Sequence, residues 1–129
     1  MKRSLSLTTL VVEDYDEAIA FFTGKLGFEL RQDTRITSEK RWVVVAPVGC
    51  ARGLLLANAA NERQRRSIGD QSGGRVFLFL ETDDFRRDHA AFLAAGVRFT
   101  EKPRREAYGT VAVFEDVSGN LWDLIEPLA

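Results

Sequence analysis

A single cysteine, Cys50, occurs in 129 residues. That excludes a disulfide framework and a thiolate metal cluster. Cys50 follows Gly49 in a turn, and no base beside it in the sequence would activate it as a nucleophile. An excess of positive charge is also missing. Lys and Arg total 18 against 19 Asp and Glu, a formal net charge of -1. A domain that neutralises phosphate backbones is usually basic, so a nucleic-acid partner is not expected. No apolar run approaches the roughly 20 residues of a membrane span, and no basic leader precedes an apolar core. The expectation is a soluble, cytoplasmic protein with no membrane partner. No nucleotide-binding glycine loop and no Ser-His-Asp order is visible.

What is present is ordinary globular composition, 45% hydrophobic, in a length that suits one compact domain. Leu5 to Val12 is apolar and β-branched, which predicts a strand. Asp14 and Asp16 offer N-cap oxygens, and Ala18, Phe21, Phe22 and Leu26 then recur at helical spacing until Gly27. Strands are predicted at 27–33, 41–46 and 53–57, the second stopped by Pro47 and Gly49.

The plan then repeats. Residues 75–80 predict a strand, Asp83 or Asp84 caps a helix carrying Phe85, His89, Phe92 and Leu93, and Gly96 ends it. Strands follow at 97–100, 110–115 and 121–125, with a loop bounded by Pro103 and Gly109. Asp14 to Gly27 spans 27 − 14 = 13 residues, and Asp83 to Gly96 spans 96 − 83 = 13. A fixed-period repeat governs the fold assignment. The expected class is α+β: two βαβββ modules, about 4–57 and 74–127, forming curved mixed sheets around a cleft. Each sheet would carry a helix on one face, leaving the other to line that cleft. The linker 58–73 reads as a solvated connection with one helical turn, or as a lid over a pocket. Its charged run, Glu62 to Arg66, reads as a solvated face.

The stretches VVEDYDEAIAFFTGKLGFEL and YGTVAVFEDVSGNLWDLIEP carry a resemblance to the vicinal oxygen chelate superfamily: glyoxalase, bleomycin-resistance and extradiol dioxygenase proteins. It covers nearly the whole chain. It implies paired βαβββ modules and a homodimer. It also implies a divalent metal held by one inward side chain from the first and last strand of each module, usually His, Gln or Glu. Carried over one by one, these positions fall on Leu7, on Leu55 to within one residue, on Arg75 and on Asp123. Leucine has no lone pairs and a guanidinium only donates. The expectation is therefore no metal and no other cofactor.

Leu7 is expected to face Leu55, and Arg75 to pair with Asp123. That ion pair reads either as a structural brace or as an anchor whose spare donor edge orients an anionic or carbonyl-bearing ligand. Strand alternation puts Phe77 and Phe79 on the face of Arg75, and Thr9 on that of Leu7. Tyr108 stands at the expected cleft mouth. The candidate ligand-binding residues are thus Leu7, Thr9, Leu55, Arg75, Phe77, Phe79, Tyr108 and Asp123. Trp122 should pack under a helix, whereas Trp42 could be either core or ligand contact, core being the commoner role of such strand aromatics. His89 reads as a surface or helix-packing residue. The expected function is metal-free binding of an aromatic or drug-like small molecule by a homodimer. Two alternatives stand beside it. One is a metal-dependent lyase, isomerase or dioxygenase drawing ligands from elsewhere, such as Glu81 or Glu126. The other is a structural or regulatory dimer.

Overall fold

A computed structural model describes residues 1–128. The chain divides into two compact units, one ending at Ile68 and the other beginning at Gly69.

In the N-terminal unit, β1 (Leu7–Val12) leads to α1 (Tyr15–Ala20). Asp14 is the N-cap, its carboxylate accepting from the Glu17 amide at 2.8 Å, so one of the free amides of the helix start is satisfied. The helix widens into a π-helical turn over Phe21–Lys25. Gly27 then turns the chain at φ 72°. β2 (Glu29–Arg35), β3 (Arg41–Ala46) and β4 (Gly53–Asn58) complete a sheet ordered β1-β4-β3-β2. Only the β1–β4 pairing is parallel. Leu10, Val12, Val43, Val45 and Leu56 are essentially fully buried on one sheet face, as are Phe22 and Ala18 of the helical segment that covers it. Each such large side chain contributes roughly 1.5–3 kcal/mol of hydrophobic stabilisation. Alternation sends Leu7, Thr9, Val11, Trp42, Val44, Leu55 and Ala57 to the opposite face. α2 (Glu62–Ser67) lies in what the sequence suggests is a linker, and it packs on β1.

The C-terminal unit contains β5 (Val76–Glu81), α3 (Phe85–Ala94), β6 (Arg98–Phe99), β7 (Arg104–Glu106), β8 (Gly109–Glu115) and β9 (Leu121–Pro127). The sheet order is β5-β9-β8-β6, with β7 also on β8. Asp84 rather than Asp83 caps α3, accepting from the Arg87 amide at 3.0 Å. The covered sheet face is aromatic: Phe92 meets Phe114 edge-on at 5.7 Å, and Phe114 stacks on Trp122 at 5.7 Å. Trp122 is buried there as expected, its indole N–H donating to Asp116 at 3.0 Å. His89 packs between Phe85 and Phe99, the helix-packing role anticipated for it.

The two units are therefore an α+β pair of mixed sheets, each with a helix on one face. Two local expectations need correction. The stretch between Pro103 and Gly109 is not simply a loop but contains β7, which pairs antiparallel with β8. The sixth strand shrinks to two residues. Among the described residues no helix is long and apolar enough to cross a membrane.

Candidate functional site

Most of the candidate residues lie on the open sheet faces of the two units, and the strand register decides which of them meet. In the N-terminal unit Leu7 lies opposite Gly53, and Thr9 lies opposite Leu55. The expected Leu7–Leu55 pair is therefore displaced by two residues. Leu7 is 40% exposed and Thr9 is exposed, while Leu55 is half-buried.

In the C-terminal unit the correction is larger. Arg75 precedes β5, is exposed, and takes no part in the ion pairs of the described residues. The register slips between Val76 and Leu78, so Phe77 forms a bulge and Phe79 becomes the partner of Asp123. The Arg75–Asp123 bridge does not form. Val76 already lies opposite Leu121, so Arg75 falls before the level of Asp123, and the bulge adds one further residue to β5. Phe79, 65% exposed, holds the position given to Arg75.

Asp123 is buried, 7% exposed, and its Oδ1 has no hydrogen-bond partner. Its neighbours on either strand are Phe79 and Val113. Burial pushes its carboxyl above the usual carboxylate range; Arg104 opposes that shift and Glu101 adds to it. Arg104 is already committed. It donates to both oxygens of Glu101 at 3.0 Å and to Glu106 at 2.9 Å, and those bonds, with the nearby Tyr108 hydroxyl, keep it firmly protonated. Tyr108 itself is 53% exposed at the turn between β7 and β8.

A cavity of about 550 Å³ opens in the N-terminal unit. Trp42, Leu55 and Ala57 from the open sheet face form part of its wall, with Tyr15, Asn58 and Gln64. The Tyr15 hydroxyl accepts from the Arg41 amide and donates to the Arg41 carbonyl, both at 3.1 Å. The Arg41 guanidinium stacks over the Tyr15 ring at 5.1 Å and forks onto Asp33 at 3.0 and 2.7 Å. This holds one wall rigid. Gln64 is fixed by accepting from the Ala60 amide at 2.7 Å, while Asn61 caps its own amide at 2.9 Å. The Asn58 Oδ1 is buried without a partner. Sequence reading missed Tyr15, Asn58 and Gln64. The Asn61-x-x-Gln64 spacing, an N-cap signature within the supposed linker, was the available signal.

The four positions implied by the family's metal site do not fit a divalent ion. Two are hydrocarbon and the third is an exposed arginine outside the strand. Only Asp123 carries lone pairs, and its nearest charged companions are the Glu101–Arg104 pair. Glu126 is spent at the start of α3, where its Oε1 accepts from the Phe85 amide at 2.7 Å. Glu81 is exposed. Among the described residues no group of three or more His, Cys, Asp or Glu is arranged to hold an ion.

Comparison with known proteins places this geometry. An uncharacterised protein of Shewanella frigidimarina (strain NCIMB 400) is 53% identical over 128 residues, covering 98% of this chain and 95% of that one. Among solved structures, UcmS2 superposes with a TM-score of 0.85 at 34% identity, covering 98% and 99% of the two chains. TnmS3, an antibiotic binding protein from Streptomyces sp. CB03234, superposes at 0.79 with 29% identity and 99% coverage of each chain. The sequence profile of one family matches residues 4–124. The chain belongs to the Glyoxalase/Bleomycin resistance protein/Dioxygenase superfamily.

Proposed function

We propose that this protein is a metal-free, homodimeric binder of an aromatic, drug-like small molecule. The observation that carries the reading is the cavity of about 550 Å³ walled by Trp42 and Leu55. Its size lies within the range of small-molecule sites, and it mixes apolar walls with a few fixed polar atoms. The partnerless Asn58 oxygen in that wall is an acceptor waiting for a donor. The likeness to TnmS3, an antibiotic binding protein, supports a drug-like ligand. The donor set at the family's metal positions supports binding without a cation.

Intrinsic fluorescence tests this, because the two tryptophans differ. Trp122 is 3% exposed beneath α3, whereas Trp42 borders the cavity. Titrating a panel of aromatic antibiotics should give saturable quenching in the wild type, with Tm rising as ligand is added. W42F should abolish the quenching and leave the Trp122 signal constant. No saturable response and no Tm shift across the panel would overturn the reading. Stoichiometric nickel, zinc, manganese or iron in purified protein would overturn its metal-free part.

A further inference from the structure

The cavity of the N-terminal unit has a polar end whose hydrogen-bonding capacity its own fold does not use. Asn58 is the last residue of β4, and its Oδ1 is buried without a partner. Alternation along β4 puts Asn58 on the face of the buried Leu54 and Leu56, the reverse of the face that carries Leu55. The cavity is lined from both faces at this end of the sheet, by Leu55 and Ala57 and by Leu56 and Asn58. Asn58 is therefore not one of the strand positions implied by the family's metal site. Leaving its oxygen unpaired costs free energy that a purely structural residue would avoid. The other edge of the same carboxamide is an N–H donor. Gln64, on the same wall, spends its Oε1 on the Ala60 amide at 2.7 Å, so the polar group it has left is also a donor. Charge at this end is already matched. Arg41 is held by Asp16 and Asp33 at 3.0 and 2.7 Å, and Glu39 and Lys40 are exposed and of opposite sign. An ionised ligand group would be desolvated there with no counter-ion.

We propose that the cavity selects uncharged aromatic compounds bearing an amide edge, a lactam or a carboxamide, and that Asn58 reads that edge. The ligand N–H donates to Asn58 Oδ1. The ligand carbonyl accepts from Asn58 Nδ2, with Gln64 Nε2 as the second donor for its two lone pairs. An amide is the complement of a carboxamide because each brings a donor and an acceptor side by side. The last torsion of an Asn side chain is broad and soft, so the carboxamide turns to meet the ligand without moving β4. Trp42, in the same wall, offers its ring to the aromatic part. This rests on the small-molecule-binding reading and narrows it to amide-bearing ligands.

The probes are the lactam quinolin-2(1H)-one and its N-methyl derivative, which keeps the rings and the carbonyl but lacks the N–H, each titrated calorimetrically into the full chain at pH 7. The wild type should bind the lactam about tenfold more tightly than the N-methyl compound, the return of one hydrogen bond to an oxygen otherwise left unpaired. Asn58→Leu should bring that ratio to about one while keeping the affinity for the N-methyl compound. A second readout needs no variant: the Asn58 side-chain carbonyl carbon should move downfield in NMR with saturating lactam and hold its place with the N-methyl compound. Equal binding of the two probes overturns the amide anchor. So does a preference that survives Asn58→Leu, since the methyl group would then be excluded by its bulk alone. If neither probe binds while aromatic antibiotics do, the amide anchor falls and the small-molecule reading stands. If nothing binds, both fall.

Discussion

Two buried aspartates seven residues apart show how the same side chain serves opposite ends. Asp116 is fully employed: it accepts from the Ser118 amide at 2.9 Å, the Asn120 amide at 3.0 Å, the Asn120 side chain at 3.1 Å and the Trp122 indole at 3.0 Å. It closes the turn between β8 and β9 and pins the tryptophan beneath α3. Asp123 has no such partners for Oδ1. Replacing each should therefore move stability in opposite directions. D116A strands the indole N–H and two backbone amides, and should cost about 3 kcal/mol in urea unfolding at pH 7. D123N removes an uncompensated charge and should gain on the order of 1 kcal/mol. The pH dependence fixes the sign. A carboxyl raised in the folded state destabilises that state at pH values above its folded pKa. The penalty fades as pH falls towards the usual carboxylate range, where both states are protonated. The D123N advantage should be full at pH 7 and vanish in melts near pH 3. An advantage that persists unchanged in acid would mean that packing, not charge, is responsible.

Among the elements, the two helices show what a repeat reveals and where it misleads. The equal 13-residue spacing depends on taking Asp83 as the second cap, but Asp84 holds that position. Counted from true cap to turning glycine, the first module spans 27 − 14 = 13 residues and the second 96 − 84 = 12. The extra residue is absorbed by the π-helical turn at Phe21–Lys25, which is how a one-residue insertion survives inside a helix. The π-turn leaves no mark in the apolar pattern, since Phe21, Phe22 and Leu26 are buried all the same. β7 was invisible for another reason: Arg104-Arg105-Glu106 has no apolar alternation, and only pairing with β8 makes it a strand. Its hairpin hangs on Gly109. There φ is +153°, and a Cβ would sit 2.3 Å from the Glu126 carbonyl oxygen. Both partners are sheet backbone, so neither can yield cheaply. G109A should cost about 3 kcal/mol of unfolding free energy and increase amide exchange along β7 and β8. Wild-type exchange rates in the variant would show that the β8–β9 pairing tolerates a side chain at this point.

At the level of the whole molecule, the paired-module plan was readable because caps (84 − 14 = 70) and turning glycines (96 − 27 = 69) recur at nearly the same offset. The candidate site was readable only in outline. A face can be assigned by alternation until a bulge intervenes. The pairing of β5 with β9 starts at Val76 opposite Leu121, leaving Arg75 short of Asp123, and the slip at Phe77 then brings Phe79 rather than Leu78 to that level. The cavity drew on Asn58 at the end of β4 and on Gln64 of α2, which only the folded chain brings to Trp42. Exposure also bears on assembly. Leu5 is 85% exposed and Leu7 40%, two large apolar side chains of one short segment left in water. Specific dimers bury at least roughly 1,000 Å² in total, and clusters of such residues are what they cover. The protein should therefore sediment as a dimer at micromolar concentration. L5K/L7K places two charges on that apolar segment without touching the core, since both side chains reach solvent in the single chain. The variant should remain folded by circular dichroism and shift towards monomer by at least tenfold in dissociation constant, as two desolvated charges readily cost that much. A wild-type chain that stays monomeric at every concentration would remove the dimer from the proposal. A double variant that dimerises as well as the wild type would move the interface away from the start of β1.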